Sequence, residues 1–67
     1  MRRSIPITDH SNLVAVAALG RAGWYLIALD PRLRPLHRAG FSGPAETERA
    51  ALHLLRRARR QESHAHA

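Results

Sequence analysis

The sequence contains no cysteine and no lysine, and aromatic residues make up only 4% of it. Without cysteine there is no disulfide to staple a small fold and no thiolate set for a structural zinc. Long apolar runs are also missing. The two longest, residues 13–19 and 24–29, are separated by Gly20-Arg21-Ala22-Gly23, and neither approaches the ~20 residues that span a bilayer as a helix. Met1-Arg2-Arg3-Ser4-Ile5-Pro6 leads into Thr8, Asp9 and His10 rather than into a continuous apolar segment, so no secretory leader is expected. The absence of thiols fits a reducing compartment, and the expected location is cytoplasmic, with no membrane partner.

What the chain has instead is arginine. All eleven basic residues of the Lys+Arg class are Arg, set against five acids, for a formal net charge of +6. With 67 residues it is a single small module, of a size that buries only about 60% of its unfolded surface. The hydrophobic fraction is 45%, but Ala is its commonest member, so the supply of bulky core side chains is modest.

The signals along the chain predict an α+β module in the order helix, β-hairpin, helix. Thr8 or Asp9 suits a helix N-cap, Ile7 a staple position and Gly20 a C-terminal stop, which places a first helix over residues 7–20. The β-branched run around Val14 and Val16 leaves a runner-up in which residues 13–19 form a strand, giving a three-stranded antiparallel sheet with one C-terminal helix. Residues 24–29 read as a strand with two apolar faces. Asp30-Pro31-Arg32-Leu33 reads as a type I turn, and residues 33–39 as an edge strand, because Pro35 cannot donate to a ladder. Pro44, Glu46 and Glu48 open a last helix that runs to about residue 61. On its wheel Ala51, Leu54, Leu55 and Ala58 form one face, with Leu52 at the margin. The module is expected over residues 7–61, between a flexible basic arm at 1–6 and a disordered tail at 62–67.

Nothing in the chain has the form of a catalytic or cofactor site. There is no Gly-x-Ser-x-Gly elbow and no Cys nucleophile, and Gly20-Arg21-Ala22-Gly23 lacks the Gly-Lys-Ser/Thr ending of a phosphate loop. No pair among His10, His37, His53, His64 and His66 has the i, i+4 spacing of a helical metal site. His64-Ala65-His66 reads as a solvated tail. A non-enzyme with no cofactor and no metal is the expectation.

The distribution of arginine carries the functional reading. Arg49, His53, Arg56, Arg57 and Arg60 fall on one arc of the last helix, and Arg34 and Arg38 share one face of the expected edge strand. Guanidinium is planar, permanently charged and matched to phosphate by paired hydrogen bonds. The pattern is that of a small accessory or regulatory protein of a nucleic-acid-processing complex, gripping phosphates of DNA or RNA. The alternative is a stoichiometric inhibitor or adaptor, of the kind phages and plasmids encode, that docks on an acidic protein surface. The two apolar faces of the 24–29 strand leave room for a homodimer.

Overall fold

The chain starts on a hairpin, not a helix. A computed structural model describes residues 3–65, with strands β1 (Ser4–Asp9), β2 (Asn12–Gly20), β3 (Gly23–Ala28) and β4 (Gly40–Phe41). A 3-10 segment, Pro31–Leu36, lies between β3 and β4, and the helix α1 (Pro44–Ala65) closes the order. The sheet is antiparallel throughout, in the order β1-β2-β3-β4. This is a small α+β fold close to the runner-up reading, with one more strand than expected.

The helix expected over residues 7–20 is corrected by a two-residue turn. His10 and Ser11 both take positive φ, 50° and 69°, and Asp9 pairs with Asn12 across them. Two successive left-handed residues make the tight turn whose twist suits antiparallel strands. Thr8 and Asp9, read as caps, are strand residues instead. The Ala residues that favoured a helix serve the sheet in another way. Ala15 and Ala17 in β2 and Ala51 in α1 are all completely buried, and their small side chains allow sheet and helix backbones to approach closely.

One irregularity sets which residues reach the core. Ile7 pairs with Ala15 but Thr8 pairs with Leu13, so Val14 is an extra residue in β2. The bulge lets consecutive Val14 and Ala15 both join the core with Ile7, Leu26, Leu33, Ala51 and Leu55. Leu13 and Val16, on either side, fall on the opposite face of the sheet.

The edge strand expected over residues 33–39 is also corrected. Asp30 Oδ1 accepts from the Arg32 N–H at 2.8 Å, and Pro31 begins a 3-10 turn that continues through Pro35. That turn drives Leu33 fully into the core. Arg38 then reverses the chain at a φ of 68°, and its N–H donates to the Leu26 carbonyl at 2.7 Å. The outer edge of β3 is completed by a side chain: His37 Nδ1 accepts from the Ala28 N–H at 3.1 Å.

The last helix follows its sequence signals. Pro44 opens it, and the Gly43 carbonyl accepts from both the Thr47 N–H (3.1 Å) and the Thr47 hydroxyl (2.8 Å). The second bond satisfies a hydroxyl with no exposed surface. Ala51 and Leu55 are fully buried, while Leu52 and Leu54 pack at the edges of the core. The arm expected at 1–6 is β1 from Ser4 onward, and the tail expected at 62–67 is helical to Ala65. Residues 1, 2, 66 and 67 lie outside the described part. No helix among the described residues is long and apolar enough to cross a membrane.

Candidate nucleic-acid interface

Each residue advances ~100° around an α-helix, so Arg49, His53, Arg56, Arg57 and Arg60 fall within an arc of about 100°. The buried residues Thr47, Ala51 and Leu55 occupy the opposite side. All five stripe residues are exposed. The helix is therefore wedged by its apolar side against the sheet and presents its cations to solvent. From Arg49 to Arg60 the row is ~16 Å long at the helical rise of ~1.5 Å per residue. That length matches about five steps of a nucleic-acid strand at ~3.4 Å each.

At the foot of this row lies the half-buried ring of Phe41, from β4. With Glu46, Arg49, Ala50, His53 and Arg56 it lines an open recess of about 410 Å3. Arg56 Nε also donates to the Leu52 carbonyl at 3.4 Å, which leans its side chain along the helix. Glu46 is the acid at this end of the row, close to the helix N-terminus where its charge is favourable.

Ion pairing separates the arginines into two groups. The Arg–carboxylate pairs among the described residues fall on Arg32 and Arg59, both off the row. Arg32 grips Asp30 with two side-chain bonds, Nε to Oδ1 at 3.0 Å and Nη2 to Oδ2 at 2.9 Å. Chiefly through these bonds and the Arg32 N–H, the Asp30 carboxyl is held below its ordinary value and the Arg32 guanidinium is raised. Arg59 joins Asp9 across 50 residues of sequence, fastening the C-terminal half of α1 to the end of β1. His10 lies 3.8 Å from the same carboxylate.

Arg34 and Arg38 do not share a strand face, because the strand expected to carry them does not form. Arg34 is exposed on the 3-10 segment, near Asp30 and His37 beyond the end of β3. Arg38 is exposed at the reversed residue and lines a recess at the β2–β3 turn with Arg21, Trp24 and Tyr25. Neither lines the recess beside α1. Sequence spacing does not single out Arg21, whose one signal is its place in a Gly-flanked turn. Arg59 is set apart from the row by its wheel position, turned toward the buried side. No group of three or more His, Asp or Glu among the described residues is arranged to hold a metal; the His64/His66 pair lies outside the side chains described. Comparison with protein-family models, curated proteins and solved structures finds no match for the chain.

Proposed function

We propose that this chain is a small basic accessory or regulatory protein of a nucleic-acid-processing complex, binding phosphates through Arg49, Arg56, Arg57 and Arg60. One observation carries the reading: among the described residues the arginines paired with carboxylates are Arg32 and Arg59, while those of the row face solvent opposite the core. Unpaired guanidinium groups in a row attract a polyanion with little desolvation and release its counterions on contact. His53 lies within the row and adds a further donor to it. Phe41 gives the row an apolar foot against which a sugar or base can rest.

The alternative partner is an acidic protein surface, and the ring of Phe41 among cations fits that too, as an aromatic anchor in a charged rim. Fluorescence anisotropy with unrelated 20-mer duplexes and single strands at ~50 mM salt, where electrostatic association is strong, separates the two. Comparable binding to all sequences supports phosphate recognition. Absence of binding under those conditions removes it and leaves the inhibitor or adaptor.

A further inference from the structure

The strand residues on the face of the sheet turned away from α1 are uncharged, and one cation, Arg3, lines a recess at its corner with Ser4, Ala18, Tyr25 and Ile27. Cross-strand partners share a face, so the pairs Thr8↔Leu13, Pro6↔Val16, Ser4↔Ala18, Val16↔Ile27 and Ala18↔Tyr25 place Leu13, Val16, Ala18, Tyr25 and Ile27 together on this side, and alternation past Ala28, the last residue of β3, adds Leu29. Leu13 and Leu29 are each 52% exposed. In a chain of net charge +6, a face whose strand residues are all uncharged is not the one that serves a polyanion.

We propose that this face pairs with the same face of a second copy, and that the resulting dimer bridges two separate nucleic-acid segments. The bridging half rests on the phosphate-binding reading of α1. Three features select a second copy. First, the face is self-complementary. β3 and the residue that follows it present the tall side chains Tyr25, Ile27 and Leu29, and β1 presents the low ones Ser4, Pro6 and Thr8. A two-fold axis running along β2 lays the tall row of each copy over the low row of the other, an isologous contact in the aligned geometry of packed sheets.

Second, the arginine rows do not oppose the pairing. The arginine rows lie on the outer sides of the stacked layers, on the order of 40 Å apart given sheets ~10 Å apart and helices ~10 Å thick. That is several times the ~8 Å screening length in physiological salt. Third, edge-to-edge pairing is blocked. The Leu19 N–H donates to the Arg3 carbonyl at 2.9 Å, which turns the backbone groups of Ile5 and Ile7 toward β2 and those of Ser4, Pro6 and Thr8 outward. Pro6, at the middle of that free edge, has no N–H to offer. At the other edge β4 has only two residues.

The contact is small. Three strands at ~4.8 Å and five residues at ~3.4 Å give a footprint of about 250 Å2 per copy, against ~800 Å2 per partner in stable complexes. The dimer is therefore weak, with a dissociation constant on the order of 100 μM. It closes where copies are already concentrated by binding, at millimolar effective concentration. Because the two rows face opposite ways, one duplex cannot fill both.

The test uses the full chain and Leu13→Gln/Leu29→Gln, which changes two half-exposed positions and no charge, with Ile27→Lys as a second variant; a cooperative thermal melt establishes that each is folded. Sedimentation equilibrium without nucleic acid, from ~10 μM to ~1 mM around that expected constant, should show a mass rising from 7.5 kDa toward twice that value for the native chain, and a constant monomer for the variants. Capture of a labelled duplex by a bead-bound duplex of unrelated sequence should require the native chain. The double variant should bind a single duplex within about twofold of native affinity, as befits an unchanged electrostatic contact. A native monomer up to the highest concentration overturns the dimer. A dimer that binds duplex without joining two of them overturns the bridge. A dimer that binds no duplex overturns the phosphate reading, and the bridge with it, while sustaining the pairing of sheet faces.

Discussion

Replacing Arg56, Arg57 and Arg60 with Gln removes three of the four guanidinium groups of the α1 row and leaves Arg49. All three side chains are exposed, and Gln has a helix propensity close to that of Arg, so the fold should change in stability by less than ~0.5 kcal/mol. The effect on binding is large and calculable. Four phosphate contacts give a slope of log K against log salt of about −3.6 on duplex, at ~0.9 per contact. Raising salt fourfold, from ~50 to ~200 mM, then weakens the native chain by about 150-fold. The variant, with one contact, should show a slope near −0.9 and lose only ~3.5-fold over the same interval. On single strands, at ~0.7 per contact, the corresponding losses are about 50-fold and ~2.6-fold. Anisotropy titrations at four salt concentrations, with circular dichroism to verify the helix, give both numbers. Arg34→Gln/Arg38→Gln should leave the slope unchanged, since those residues lie off the row. Equal slopes for the triple variant and the native chain would refute the assignment of the row.

Three further outcomes follow from the fold. Leu55 is completely buried, so Leu55→Ala should cost ~2–5 kcal/mol in thermal or urea unfolding, whereas Arg57→Ala should leave the circular dichroism spectrum unchanged. The Asp30 carboxyl is held low by Arg32, so its contribution is complete above the ordinary carboxylate value of 3.8 and fades as pH falls through the lower folded-state value. Asp30→Asn should therefore be less stable than the native chain at neutral pH, with the gap closing in melts taken progressively below about pH 4. Asp9→Ala and Arg59→Ala, tested singly and together, should show a coupling of up to ~1 kcal/mol in a double-mutant cycle; fully additive losses would mean the pair contributes nothing.

The elements that the sequence declares are those whose local and tertiary preferences agree. In α1 the opening Pro44, the order of acids before bases and the 3.6-residue spacing of Ala51 and Leu55 all point the same way, and the helix extends over the whole stretch. The first hairpin is hidden because His10-Ser11 has neither the Gly nor the Asn of a recognisable tight turn, and because Ala15, Ala17 and Ala18 lower local strand preference, while Ala15 and Ala17 suit close contact with α1. Over residues 33–39, strand alternation would put Arg34 and Arg38 on one face, but Pro31 and Pro35 both accept 3-10 geometry. The arginine row survives translation into structure because it depends on α1 alone. The pairing of Arg59 with Asp9 was invisible, since it requires knowing that β1 ends beside the far half of the helix.

The His10-Ser11 turn has a consequence for the order in which the chain acquires its shape. Left-handed backbone at two successive non-glycine residues is uphill for an isolated segment, so β1 and β2 have little reason to close on their own. The carboxylate beside the turn is held by Arg59, which is synthesised 50 residues later. During synthesis the first hairpin should stay open, while β2 and β3, joined through Gly20 and Gly23, have the easier turn. The N-terminal strand is then the last piece laid down although it is the first made, and until α1 arrives the residues of β2 remain available to any other strand that meets them. Ser11→Gly would relieve one of the two left-handed residues and lessen that dependence.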